Sequence, residues 1–158
     1  MLVVSDTSPL SNLAIIGRLD LLKEQFDVVR MPGGVARELS ALPNSAALVA
    51  LDNALRDGWL IETALPLSAP FPEVLAGLDS GEIEAIRLAL ALKADRILMD
   101  EKEGRQRAAA LGLRTIGIIG VLMVARQSGR LESLAAEIAR LRLEAGFFVD
   151  RALVPCNF

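Results

Sequence analysis

The stretch Met1-Leu2-Val3-Val4-Ser5-Asp6-Thr7-Ser8-Pro9 decides how the rest of the chain is read. Its short apolar run is too brief for a helix and too apolar for a loop, which is the pattern of a buried strand. The run stops at a carboxylate, two hydroxyls and a proline. Pro9 is tolerated in the first turn of a helix but not deeper, so Asp6 falls on the hinge between strand and helix. In open α/β sheets, ligands collect in the crevice at the carboxyl ends of the strands. The competing reading is an N-cap, in which Asp6 satisfies free N–H groups of the helix that follows. The arrival of further carboxylates at the same rim distinguishes the two.

Outward from this hinge, residues 10–26 carry apolar positions at helical spacing, interrupted at Gly17, which predicts two short helices or one with a break. Residues 27–31 read as a second strand, and Pro32 opens a helix that stops near Pro43. A helix over 45–56 ends at Gly58, and residues 59–62 have the pattern of a short edge strand. Residues 63–72 form a loop too short to separate two domains. Helix 81–93, strand 96–99, helix 102–111, strand 114–116 and helices 118–127 and 131–145 complete the pattern. The apolar tail 147–154 is expected to pair at a sheet edge. Strands alternating with helices predict an α/β fold, a mainly parallel sheet covered on both faces. Leu131, Leu134, Ile138, Leu141 and Ala145 keep heptad spacing, which core packing or a dimer seam would explain.

The 158 residues are expected to form a single domain, 1–158, long enough to bury a core. No run approaches the ~18 uncharged apolar residues of a membrane span, and no basic leader precedes an apolar one, so a cytoplasmic protein is expected. A lone cysteine, Cys156, leaves no internal disulfide and no thiolate metal site. Histidine is absent. That removes Ser-His-Asp and Cys-His hydrolases, imidazole acid–base catalysis and histidine-held zinc. Chemistry must come from carboxylates, hydroxyls, Lys, Arg or a hard metal ion. The net charge of −3 does not mark a nucleic-acid binder, although it leaves room for a local basic patch.

Four carboxylates stand out. Asp100 follows the Ile97-Leu98-Met99 strand as Asp6 follows the first, which would put both on one rim; the alternative is a capping box with Glu103. Glu82 lies at the centre of the apolar arc of its helix, among Ile83, Ala85, Ile86 and Ala89, while Glu84 and Arg87 fall on the polar side. A glutamate aimed inward needs a partner, because an unpaired buried carboxylate is costly; a capping box with Asp79 is the plainer explanation. Glu38 reads as an ordinary exposed glutamate beside Arg37. Four acids without His or Cys suit a hard divalent cation such as Mg²⁺ or Mn²⁺.

The order Asp6, Glu38, Glu82, Asp100 on a chain of this length resembles the PIN-domain family, including the VapC-type toxin ribonucleases. The likeness is carried by Val4-Ser5-Asp6-Thr7-Ser8-Pro9-Leu10, Met31-Pro32-Gly33-Gly34-Val35-Ala36-Arg37-Glu38-Leu39, Leu78-Asp79-Ser80-Gly81-Glu82-Ile83-Glu84-Ala85-Ile86 and Ile97-Leu98-Met99-Asp100-Glu101. Gly104-Arg105, Leu111-Gly112-Leu113 and residues 117–122 complete it. The chain is especially similar to a PIN-like branch of predicted nucleic-acid-binding proteins. The resemblance implies a three-layer α/β/α fold and a metal-dependent endoribonuclease cutting single-stranded RNA. In it Asp6, Glu38, Glu82 and Asp100 hold Mg²⁺ or Mn²⁺ and catalyse. It further implies a homodimer and an antitoxin protein as partner. Thr7 and Ser8 match a hydroxyl position that helps to hold water or phosphate.

Two positions depart from the toxin pattern: Leu98 stands where a Ser or Thr is usual, and Glu82 where many toxins have Asp. The C-terminal tail is also abrupt for the branch. Arg105 and Arg107, which follow the Asp100 strand end, with Arg96, Arg114 and Arg126 as further contributors, are the cations expected to take flanking phosphates. No aromatic stacking platform is visible in the sequence, so base-specific readout is not expected. The alternative to a nuclease is a catalytically weak PIN-like protein that binds nucleic acid or a partner through the same groove. A phosphatase using Asp6 as nucleophile fits poorly, since Ser8 occupies the place of the second aspartate.

Overall fold

The computed structural model describes residues 1–148. Five parallel strands form one sheet: β1 (Val3–Ser5), β2 (Val29–Met31), β3 (Leu60–Glu62), β4 (Arg96–Leu98) and β5 (Thr115–Ile116). Their spatial order is β3-β2-β1-β4-β5. The chain therefore runs outward from β1 to one edge, then returns to the other side of β1. That reversal between β1 and β4 opens a crevice at the strands' carboxyl ends, the usual ligand site of such sheets. Ser5 pairs in register with Leu98, so the residues that follow the two strands emerge side by side.

The helices are α1 (Thr7–Ile15), α2 (Asp20–Phe26), α3 (Gly33–Ser40), α4 (Ser45–Arg56), α5 (Ser80–Leu92), α6 (Lys102–Ala110), α7 (Ile118–Gln127) and α8 (Leu134–Ala145). A short 3-10 turn, Glu73–Leu75, interrupts the connection between β3 and α5. Successive strand residues point to opposite faces, and the core divides accordingly. Val3 and Leu98 join the cluster under α1–α4, α7 and α8, whereas Val4, Ile97 and Met99 join the one under α5 and α6. Both faces are covered, as the strand–helix alternation predicts, and the three layers follow.

Gly17 does break the first helical stretch, in a left-handed turn at φ 71°. Residues 131–133 precede α8 rather than belong to it, because the Ser133 hydroxyl accepts the Ala136 N–H and so starts the helix there. Leu131, Leu134, Ile138 and Leu141 are buried in the core, so packing explains their spacing. The pairing expected for residues 147–154 lies mostly outside the described residues, as does Cys156; within them, Phe147 packs against the core and Phe148 is exposed. Among the described residues no helix is long and apolar enough to cross a membrane.

Candidate functional site

Asp6 occupies the N-cap position of α1, yet its side chain makes no capping hydrogen bond. Its backbone N–H donates to the Leu98 carbonyl at 3.0 Å, which ties the end of β1 to that of β4. The residue is 5% exposed. Burial pushes its pKa up to about 7, helped by the charges of Glu82, Asp79 and Glu38 and opposed by the Thr7 N–H. The capping explanation for Asp6 therefore fails on geometry.

The two hydroxyls after Asp6 reach in opposite directions. Thr7 Oγ1 donates to Glu38 Oε2, and Ser8 Oγ donates to Asp100 Oδ2 at 3.2 Å. One helical turn thus holds an acid on either side of Asp6. Both hydroxyls of the position implied to hold water or phosphate therefore donate to carboxylates. Glu38 does not pair with Arg37, which lies instead 3.7 Å from Glu84.

Asp100 does not cap its own helix; Glu101 is the N-cap of α6. Asp100 Oδ1 accepts the Ile118 N–H at 2.8 Å, at the start of α7. Burial raises its pKa, while the Ile118 N–H, the Ser8 hydroxyl and the Arg105 guanidinium hold it down. Glycine at 117 leaves room for this approach: a Cβ there would lie 2.9 Å from Asp100 Oδ1 and 2.5 Å from Arg105 Nη1 and would push both side chains away.

Glu82 is 6% exposed, as its place on the helical wheel predicts. The capping box is also formed: the Glu82 N–H donates to Asp79 Oδ1 at 2.9 Å, and the Asp79 N–H to Glu82 Oε2 at 3.3 Å. That box uses one carboxylate oxygen. The other, Oε1, is buried with no hydrogen-bond partner. It points at Gly104, where a Cβ would lie 2.6 Å away. Burial first, then the Asp79 charge, push the Glu82 pKa up to about 7. Asp79 is the acid that sequence reasoning missed, since its field acts on both Asp6 and Glu82. Its capping signature was legible, but its nearness to Asp6 depends on α5 lying across β1.

The arginines separate. Arg105 donates to the Met99 carbonyl at 3.2 Å and stands beside Asp100. Arg107 donates to the Val74 and Ala76 carbonyls and pairs with Glu103, so it holds the 3-10 turn. Arg96 and Arg114 lie with Met1 and Asp95 at the opposite, amino end of the strands, and Arg126 is in the last turn of α7. Sequence proximity to Asp100 misjudged Arg96 and Arg114, because a strand carries its first and last residues to opposite rims. Beside Asp100 lies a groove of about 1030 Å³ whose walls include Ser8, Lys102, Arg105, Phe147 and Phe148. Gly146, left-handed at φ 65°, ends α8 just before the two phenylalanines on that wall. Phe148 is 83% exposed, an aromatic surface at the groove where none was expected.

The sequence profile of the family described as DUF3368: PIN domain matches residues 2–155. The chain belongs to this PIN-domain family. Comparison with curated proteins returns no significant match. The five-stranded parallel sheet between helical layers is the fold the resemblance implied. It is nuclease-like, and PIN domains generally use divalent metals.

This PIN domain fits such an ion in donor chemistry: oxygen ligands only, with Glu82 Oε1 buried and without a hydrogen-bond partner. Among the described residues, no group of three or more His, Cys, Asp or Glu side chains is arranged to hold a metal by protein ligands alone. An ion of the Mg²⁺ kind takes one or two carboxylates and retains waters, so it does not call for such a group.

Proposed function

We propose that this PIN domain is an Mg²⁺- or Mn²⁺-dependent endoribonuclease hydrolysing phosphodiester bonds of single-stranded RNA. The observation that carries the reading is the Glu82 carboxylate, buried with one oxygen unpartnered, beside an Asp6 carboxyl whose pKa is pushed up by burial and by the charges of Glu82, Asp79 and Glu38. Desolvated like charges raise each other's pKa and favour a bound cation. Asp6 and Glu82 would hold the ion, with Glu38 and Asp100 on either side. When bound, it supplies charge neutralisation at a phosphoryl oxygen and a lowered pKa for an attacking water. Thr7 and Ser8 orient the flanking acids, and the Ile118 N–H fixes the rotamer of Asp100. Arg105 and Lys102, on the groove wall next to Asp100, take flanking phosphates.

The resemblance to VapC-type toxins supports the finer readings: a homodimer, a cytoplasmic toxin, and an antitoxin protein that restrains it. The test is cleavage of single-stranded RNA with and without Mn²⁺, in the wild type and in Asp6→Asn and Asp100→Asn variants whose folding is checked by circular dichroism. Mn²⁺-dependent cleavage lost in both variants supports the reading; normal activity in either refutes it. Binding without turnover is favoured by one observation: Leu98, which stands where the toxins carry a hydroxyl, is buried in the core. Calorimetry decides between the readings, since a chain that ignores millimolar Mn²⁺ yet retains RNA is a binding protein.

A further inference from the structure

Helices α3 and α5 meet through a reciprocal exchange. Gly34 lies in the first turn of α3, and Gly81 in the first turn of α5. A Cβ on Gly34 would lie 2.6 Å from Glu84 Oε2 on α5, and one on Gly81 would lie 2.6 Å from Glu38 Oε1 on α3. Each helix therefore presents a glycine to a glutamate of the other, closer than any side-chain carbon allows. Glu38 is four residues beyond Gly34 and Glu84 three beyond Gly81, so glycine and glutamate share one face of each helix.

The two glutamates differ in what they touch. Glu38 faces Thr7, and its charge reaches Asp6. Glu84 Oε2 accepts the Gly34 N–H at 2.8 Å, and Oε1 lies 3.7 Å from Arg37. A carboxylate on a first-turn N–H stabilises the positive end of α3. On the helical wheel Glu84 belongs to solvent, yet the structure turns it onto the helix that carries Glu38.

We infer that Glu84 is a positioning residue: by holding the first turn of α3 against α5, it sets where Glu38 stands opposite Thr7 and Asp6. The inference rests on the reading that Glu38 serves the acidic site. An alanine at 34 would displace the Glu84 carboxylate rather than backbone, so Gly34→Ala attacks the same contact from the other side.

The experiment compares Glu84→Ala, Glu84→Gln, Gly34→Ala and the double alanine variant in the whole chain. The readouts are Mn²⁺ affinity by calorimetry, thermal unfolding, and the NMR signals of the Thr7 amide and the Glu38 carboxyl carbon without metal. Glu84→Ala is expected to move both signals and weaken Mn²⁺ binding about tenfold, whereas Glu84→Gln, whose amide oxygen still accepts from Gly34, stays within about threefold. Gly34→Ala should reproduce Glu84→Ala, and the double variant should bind Mn²⁺ no more weakly than Glu84→Ala. Unmoved Thr7 and Glu38 signals in Glu84→Ala, or a glutamine variant as damaged as the alanine one, overturn the role. If Glu84→Ala does not fold, the glutamine and Gly34→Ala variants decide on the same criteria. A wild type that binds no Mn²⁺ removes the metal reading, and the two NMR signals then uphold or overturn the positioning role by themselves.

Discussion

Glu82 and Glu137 are buried almost equally, at 6% and 5% exposed, and the fold treats them in opposite ways. Glu137, on α8, meets Arg18 at 2.7 Å and Arg140 at 3.4 Å, so both of its oxygens face guanidinium groups. The same contact holds the Arg18 guanidinium above its ordinary pKa, chiefly through the hydrogen bond. Glu82 has one backbone partner, the Asp79 N–H, for one oxygen and none for the other, and its neighbours Asp79 and Glu101 are acidic. A buried charge that is paired braces the structure. One left unpaired is a standing cost, which is tolerated where a ligand removes it.

The sharpest break in this comparison is Asp6→Asn. It should lower Mn²⁺-dependent cleavage about a hundredfold or more, because neutralising charge at the phosphoryl group is worth several kcal/mol. The fold should survive, since the Asp6 backbone bond to Leu98 remains.

Proton linkage gives the next effect. Asp6 and Glu82 titrate near 7 in the folded chain and near 4 when unfolded, so between those values the folded state binds more protons. Stability is therefore fullest below about pH 4 from these groups and falls as pH rises towards 7 and beyond. For Asp6 alone the loss is on the order of 2–4 kcal/mol without metal. Unfolding midpoints measured from pH 5 to pH 8 should fall, Mn²⁺ should flatten the fall, and Asp6→Asn should reduce it. A midpoint that rises over this range would contradict the placement of both acids.

Glu137→Ala strips two arginines of their partner and should cost about 2 kcal/mol in denaturant unfolding, discounted for the partial exposure of both guanidiniums. It should leave cleavage per folded molecule unchanged, the opposite of Asp6→Asn. Ser8→Ala is the mildest: losing one hydrogen bond to Asp100 should cost about 1 kcal/mol of stability. A several-fold fall in cleavage should accompany it. If the fall matches that of Asp6→Asn, Ser8 touches the reacting groups rather than orienting Asp100.

Much of this was legible before any coordinates. The apolar run before Asp6, the inward arc of Glu82 and the glycine stops of the helices each report a local preference, and the elements fell within a few residues of where these put them. The place of Glu82 inside the fold was readable for the same reason. Glu84, Asp79 and Arg107 were not. Their partners are Gly34, Asp6 and the carbonyls of Val74 and Ala76, tens of residues away, and a helical wheel has no knowledge of what packs against its polar side. Arg96 and Arg114 misled in the same manner, being near Asp100 in sequence and at the far end of the strands in space.

By itself, the sequence determined that this chain is an α/β domain with acids at its strand ends and no imidazole to do the chemistry, because hydrophobic period and residue type are local properties. Only the tertiary structure decided which carboxylates stand together, which oxygen is left without a partner, and that two consecutive hydroxyls hold the acids on either side of Asp6. Those contacts join the first turn of α1 to α3 and to Asp100 beyond the end of β4, and long-range contacts are made by packing, which no local pattern encodes.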